Sequence, residues 1–237
     1  WFTCLTYVGN GSNRQISHDL GCVPGCIMVK RTDSSGQWRV YHRGVNGGTN
    51  SEQYCLKLDS TAQAEAPGFV TQTFWNNTAP TSSVFTVGTH NDVNSNNGSY
   101  VCYLFAHDDQ SFGEDANSSV IKCGSYTSNN GGSLEINLGW EPQFLMLKNT
   151  ARSANWAMLD VMRGMDVSTP QDHPVLSANE NYAEQDLDEV CSPTPTATGF
   201  KIAPRSGGYA EYNFGTDEII YIAIRRSDGY CGKPYGA

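Results

Sequence analysis

The chain of 237 residues is poor in charged side chains, which make up 16% of it, and no long stretch is continuously apolar. A membrane-spanning helix needs about 20 predominantly apolar residues, so no segment is predicted to insert into a membrane. The formal net charge is −9, which argues against binding to nucleic-acid phosphates and to an anionic membrane surface. We therefore expect partners other than nucleic acid or lipid.

The sequence also lacks the short motifs of common enzymes and metal sites. It has no phosphate-binding Gly-rich loop, no nucleophile elbow around a serine and no Cys-x-x-Cys pair. The histidines stand in neither a His-x-x-x-His nor a His-x-His arrangement. We therefore predict that the chain is not an enzyme and that it holds no cofactor or metal ion.

One stretch has part of the spacing of a calcium loop. Asp92, Asn94 and Asn96 alternate as the first ligands of such a loop do. The sixth position is Asn97 rather than glycine, and the twelfth is Tyr103 rather than glutamate. We interpret the stretch as a hairpin turn.

A second acidic stretch, in the C-terminal half, could hold a hard cation or supply the carboxylate pair of a glycosidase. Its members are Glu180, Glu184, Asp186, Asp188 and Glu189. The first half offers only Glu65 near the matching position, so no site common to both halves is predicted. We interpret the run as a solvated loop.

What the sequence does contain is one pattern that occurs twice. Lys30 matches Lys148 and Trp38 matches Trp156, each at a spacing of 118 (156 − 38). A repeat of this length has the size of a small domain. The pattern predicts two tandem domains related by internal duplication, at 1–109 and 122–237, with a linker at 110–121 and a short C-terminal tail.

The predicted fold class is all-β. Short alternating apolar runs are separated by turns rich in Gly, Asn and Ser, and no stretch keeps a helical apolar period over three turns. This favours two β-sandwiches of jelly-roll type, with a barrel as the alternative. The chain starts at Trp1 without a signal-peptide pattern, so we expect it to be a piece of a longer polypeptide.

The eight cysteines are predicted to be mainly small apolar core residues rather than a disulfide framework. Cys22 and Cys26 have no cysteine at the matching repeat positions, where Trp140 and Phe144 stand. Some disulfides remain the alternative, since spacing does not fix pairing.

Aromatic residues supply the candidate ligand-binding positions. Trp38 and Trp156 are interpreted as core aromatics, with sugar stacking as the alternative. Trp75 is the better candidate for sugar binding, because its neighbours Asn76 and Asn77 are turn formers. Two further candidates are Tyr41 and His42. His42 follows Tyr41 on an alternating strand and is predicted to be a surface or interface residue.

Several multi-residue motifs resemble a duplicated domain of bacteriophage virion proteins. They include Tyr7-Val-Gly-Asn-Gly, Ile16-Ser-His-Asp-Leu-Gly, Trp38-Arg-Val-Tyr-His-Arg, the run from Trp75 to Gly88, and Gly98-Ser-Tyr-Val-Cys-Tyr-Leu-Phe-Ala. The resemblance extends from about Tyr7 to Arg226. The family occurs in tail fibres and related tail proteins, including those of marine and cyanobacterial phages, and it implies no catalytic residue.

The resemblance implies a virion structural protein, located in the phage tail and extracellular when free. Its expected partners are a host cell-surface glycan or protein and other virion subunits, and the fibre analogy implies a homotrimer. Two alternatives stay open. One is a carbohydrate-binding module of a secreted protein, and the other is a tailspike that cleaves polysaccharide.

Overall fold

The computed structural model describes residues 1–109, 119–130, 132–165, 173–186, 193–202 and 212–225. These residues form antiparallel sheets with a few short helical turns, so the predicted all-β class is confirmed. No helix among them is long and apolar enough to cross a membrane.

The first half consists of a large sheet and a small one. Its strands are β1 (Phe2–Val8), β2 (Arg14–Ser17), β3 (Pro24–Arg31), β4 (Arg39–His42), β5 (Leu56–Lys57), β6 (Val84–Val87) and β7 (Ser99–Ala106). The large sheet has the order β1-β7-β3-β4-β5, and β2 pairs with β6. Short helical segments are α1 (Phe69–Trp75), α2 (Asn91–Asn94), Val45–Gly48 and Ser51–Gln53.

The second half has the same plan. Its strands are β8 (Ile121–Thr127), β9 (Leu134–Asn137), β10 (Pro142–Asn149), β11 (Trp156–Asp160), β12 (Pro174–Ser177), β13 (Gln185–Asp186), β14 (Pro193–Thr196), β15 (Gly199–Ile202) and β16 (Glu218–Arg225). The large sheet has the order β8-β16-β10-β11-β12-β13, and a small sheet has the order β14-β15-β9.

Strands that correspond through the sequence repeat occupy equivalent positions in the two large sheets. The order β1-β7-β3-β4 of the first half corresponds to β8-β16-β10-β11 of the second. The small sheets correspond as well, since β2 pairs with β6 as β9 pairs with β15. The topology thus repeats along the chain, while common ancestry of the halves stays a prediction.

Three hydrophobic clusters hold the layers together. One lies between the large sheet of the first half and its small sheet, and a second lies at the equivalent place in the second half. The third joins the two large sheets, with Met28 and Val40 from the first half against Met146, Trp156 and Ile222 from the second. The described halves therefore stack as four layers and share a core as well as having one each.

Strand β3 shows why the apolar runs are so long. Its residues Pro24 to Val29 are all buried, because one face meets the first cluster and the other meets the third. A strand covered on both faces has no need for polar alternation. Strand β7, in contrast, alternates strictly: Tyr100, Cys102, Leu104 and Ala106 are buried and the residues between them are partly exposed.

Polar groups cross the contact between the halves. The Trp156 Nε1–H donates to the Lys57 carbonyl at 2.8 Å, and the fully buried Lys148 Nζ donates to the Thr61 carbonyl at 2.8 Å. These bonds satisfy groups that would otherwise be costly to bury. Trp156 is thus a core aromatic, as expected, whereas Trp38 is only partly buried and stacks on Tyr103.

Some local expectations differ from the structure. The Asn91–Gly98 stretch is not a hairpin turn, because the strands on either side of it, β6 and β7, lie in different sheets. It contains the single-turn helix α2, where the Asp92 amide donates to the His90 side chain. Helix α1 has no clear signal in the sequence, since its seven residues are too few to show a periodic pattern. Most of the predicted linker, 110–118, lies outside the described residues, and its last residue, Ile121, is the first of β8.

The described cysteines are free thiols, in line with the core interpretation. Cys26, Cys55, Cys102 and Cys123 are buried, Cys22 is partly exposed and Cys4 is exposed. The C-terminal tail and part of the acidic run, 187–192, lie outside the described residues.

Candidate ligand-binding site

The structure places the Trp75 ring inside the first hydrophobic cluster. Trp75 is the last residue of α1 and is 2% exposed, and its ring meets the Tyr41 ring edge-on at 6.3 Å between centroids. Its Nε1–H has no hydrogen-bond partner within the described part of the chain. Trp75 therefore offers no exposed face to a sugar, which corrects the expectation that its turn-forming neighbours would present it to solvent.

Asn76 and Asn77 form the turn that ends α1. Both adopt left-handed backbone conformations, with φ of 52° and 48°, which asparagine tolerates better than most residues. The Asn76 side chain accepts a bond from the Asn13 amide at 2.7 Å, whereas Asn77 is exposed. Ligand binding by these two amides stays a prediction.

His42 lies at the contact between the halves. It is 1% exposed, its Nδ1 accepts the Gly44 amide at 3.1 Å, and its Nε2 faces the Tyr221 carbonyl at 3.0 Å. This pattern fixes the neutral tautomer with the proton on Nε2. Burial lowers the pKa of His42 from 6.5 to about 3. The side chain is an interface residue, and it has no open side for a ligand.

Tyr41, the neighbour of His42, points to the opposite face of β4 and lines a cavity of about 310 Å³. The apolar part of the wall is formed by Val23, Pro24, Ala79 and Pro80. The polar part is formed by Tyr41, Arg43, Gly48, Ser51 and Glu52. The cavity thus collects residues from the start of β3, the end of β4, the loop after it and the loop after α1.

The loop between β4 and β5 gives the cavity a fixed wall. The Ser51 hydroxyl bonds to the carbonyls of Arg43 and Val45, at 2.7 and 2.9 Å. The backbone amides of Asn46 and Gly47 donate to the carboxylate of Glu218 in the second half. Left-handed φ values at Asn46 and Gly47, of 57° and 62°, aim both amides at this carboxylate.

The charged groups of the cavity have no partners in the part of the chain that the structure describes. Within the described residues, neither the Arg43 guanidinium nor the Glu52 carboxylate makes an ion pair or a side-chain hydrogen bond, and the Tyr41 hydroxyl is likewise unbonded. Burial raises the pKa of Tyr41, and the negative charge of Glu52 raises it further while Arg43 lowers it. The hydroxyl is therefore a neutral group, free to donate or accept a hydrogen bond.

Comparison with known proteins places the chain in a family. A family model described as a domain of unknown function (DUF7483) matches residues 1–227. The chain belongs to this family. No curated protein matches it.

Two solved structures align with this DUF7483 member along most of its length. The crystal structure of the STIV MCP has a TM-score of 0.22 and 11% identity, covering 94% of this chain and 95% of that one. The atomic structure of Sulfolobus Turreted Icosahedral Virus has a TM-score of 0.22 and 10% identity, covering 94% and 89%. Similarity at this level supports no argument about fold or function.

The stretch with part of the spacing of a calcium loop has a structural role in this DUF7483 member. Asp92 binds the buried Arg39 at 2.8 Å, and the Asn94 amide bonds to the carbonyls of Ser12 and Gly88 at 2.6 and 2.7 Å. Both groups are therefore engaged in tying loops together. No group of three or more metal-ligating side chains occurs in the described ranges.

Arg43 and Glu52 were not among the candidates from the sequence. Arg43 follows the alternating strand β4, and Glu52 lies beyond the turn-forming run Asn46 to Asn50. Only the folded loop brings them to one cavity with Tyr41. The single sequence signal for them is that run of turn formers, since conformationally fixed loops often carry binding residues.

Proposed function

We propose that this chain is a structural module of a phage virion, part of a tail fibre or a related appendage, which contacts a host-surface glycan or protein through the Tyr41 cavity. The observation that carries the proposal is the cavity itself, where the Arg43 and Glu52 side chains and the Tyr41 hydroxyl have no hydrogen-bond partner among the described residues. Concave sites with a few convergent polar groups are the usual places for ligand binding.

The virion part of the proposal is supported by the motifs that resemble phage tail proteins over nearly the whole chain. The stacked layers suit such a role physically, because a shared core and buried hydrogen bonds hold the two halves against each other. A receptor-binding module needs a scaffold that holds its loops in place. Other virion subunits, and a homotrimer in particular, are its proposed assembly partners.

The proposed activity is binding without catalysis. Purified chain incubated with host polysaccharide should release no reducing sugar ends. Release of such ends would favour a polysaccharide-cleaving tailspike instead.

A competition experiment tests the host contact. Soluble chain, added to host cells in excess, is expected to reduce adsorption of the phage that encodes it. The Arg43→Ala variant should compete much less well, because it removes the cation of the cavity. Arg31→Ala is the matched control, since Arg31 ends β3 at the far end from the cavity residue Pro24. Equal competition by both variants would contradict the proposed contact.

A further inference from the structure

The electrostatics of the Tyr41 cavity restrict the class of ligand that it can take. Arg43 is exposed and carries a positive charge, Glu52 is partly buried and carries a negative one, and neither makes an ion pair with another described residue. An anionic ligand would be attracted by Arg43 and repelled by Glu52, and a cationic ligand would meet the reverse. The ligand that satisfies both groups carries no net charge and has donors and acceptors side by side.

Vicinal hydroxyl groups have this property. One hydroxyl can donate to the Glu52 carboxylate while its neighbour accepts from the Arg43 guanidinium, and each bond involves one charged partner. Hydrogen bonds with one charged partner are stronger than those between two neutral groups. The unbonded Tyr41 hydroxyl supplies a third polar contact that either donates or accepts.

The apolar wall suits the remaining face of such a ligand. Pro24 and Pro80, with Val23 and Ala79, line the cavity beside its polar groups. A pyranose ring has one face that consists mainly of C–H groups, and this face loses little by leaving water for an apolar wall. The cavity, at about 310 Å³, lies at the small end of the range of about 300 to 1,000 Å³ seen for small-ligand sites.

We infer that the Tyr41 cavity is a binding site for an uncharged hexose, with two adjacent hydroxyl groups shared between Arg43 and Glu52 and the apolar ring face against the proline wall. The inference rests on the proposed function in so far as the hexose is the exposed end of a host glycan. The loop held by Ser51 and Glu218 is already ordered before binding. Its ordering therefore does not weaken the affinity.

Nuclear magnetic resonance titrations of the whole 237-residue chain test the inference. The probes are the methyl glycosides of glucose, galactose and mannose, with methyl glucuronide and glucosamine as the charged comparisons. At least one neutral glycoside is expected to shift the signals of Tyr41, Arg43 and Glu52, and to bind about tenfold or more tightly than either charged sugar.

Two variants separate the outcomes by the sign of their effect. Glu52→Gln should weaken binding of the neutral glycoside by about tenfold, and Arg43→Ala should do at least as much. If the site instead serves an acidic sugar, Glu52→Gln should strengthen binding of the glucuronide. Glu135→Gln on strand β9 and Arg31→Ala are controls that change the same charges elsewhere, and they should have no effect.

Three results would overturn the inference: no shift with any neutral glycoside, tighter binding of a charged sugar, or shifts that map away from the cavity. Failure of the proposed function looks different. In that case neutral glycosides bind at the cavity, but soluble chain does not compete with phage adsorption. Competition that depends on Arg43, without any binding of neutral sugars, leaves the host contact standing and points to an acidic or peptide ligand.

Discussion

Acidification is expected to weaken the contact between the two halves through His42. The neutral ring is fully satisfied, because Nδ1 accepts from the Gly44 amide and Nε2 donates to the Tyr221 carbonyl. A second proton on Nδ1 would point at the Gly44 N–H group, which already occupies that direction. Protonation therefore breaks a hydrogen bond and also places a charge in a site that is 1% exposed.

The size of the effect follows from the shift in the pKa of His42, from 6.5 to about 3. Burial is the main cause; the bond to Tyr221 raises the pKa in part, and the nearby His107 and Arg43 lower it. Below pH 6.5 the unfolded chain binds a proton that the folded chain does not. The contribution to stability is thus complete above pH 6.5 and is lost as the pH falls towards 3, with about 2 kcal/mol lost at pH 5.

The His42→Gln variant isolates the loss of stability that protonation of His42 causes. The glutamine amide can still donate to the Tyr221 carbonyl but does not titrate, so the variant is less stable at pH 7.5 and loses less on going to pH 5. Urea unfolding followed by tryptophan fluorescence measures the free energy of unfolding of both proteins at both pH values. The difference between wild type and variant should be about 2 kcal/mol smaller at pH 5 than at pH 7.5. The control is His18→Gln, where burial also lowers the pKa but the ring is partly solvated.

A His42→Gln variant that keeps the full loss of stability between pH 7.5 and 5 would refute this reasoning. In that case the titrating group would lie elsewhere. His107 is the next residue to test, because burial lowers its pKa to about 4.

Three further results are expected. Lys148→Met removes a buried ammonium group that donates to two carbonyls, and it should lower the free energy of unfolding, measured in urea, by about 3 kcal/mol. The control Lys122→Met, at a partly exposed site, should lower it by less than about 1 kcal/mol. Equal losses would contradict the role of burial. Gly44→Ala should destabilise the fold by about 2 kcal/mol, because the added Cβ would lie 2.9 Å from the Gly124 backbone. The cost comes from this clash and not from the backbone, since a φ of −82° suits alanine. An unchanged melting temperature would show that the halves can separate slightly. Among the described cysteines Cys4 is the exposed one, and it should react first with a thiol reagent in the native protein; equal rates at the buried thiols would indicate local opening.

The strand plan of each half could be predicted because it is written in local patterns. Alternation along β4 and β7 and turn formers between the strands are local signals, and the occurrence of Trp38 and Trp156 at matching sequence positions indicates the repeat. The shared core could not be predicted in the same way. The unbroken apolar run of β3 indicates that both faces are covered, but it does not say that the second cover is the other half of the chain.

The ligand-binding candidates show the same division. Tyr41 is a candidate from the sequence, and the structure places it on the wall of the cavity, where ligand binding stays a prediction. The asparagines after Trp75 indicate the turn, but they do not indicate the orientation of the ring, which lies buried at the end of helix α1. Arg43 and Glu52 meet only through the path of the loop between them, and the side chains in that loop carry no pattern that reveals the path.

The anchoring of the loop at Glu218 has a consequence for how the cavity can change. The carboxylate holds the loop by its main-chain amides at Asn46 and Gly47, so the hold does not depend on what the neighbouring side chains are. Residues such as Arg43 and Glu52 can then be exchanged for others without altering the course of the backbone. If the cavity binds a host-surface sugar as proposed, a preference for a different sugar would need only a few substitutions on an unaltered backbone, provided that positions 46 and 47 keep residues tolerant of left-handed geometry.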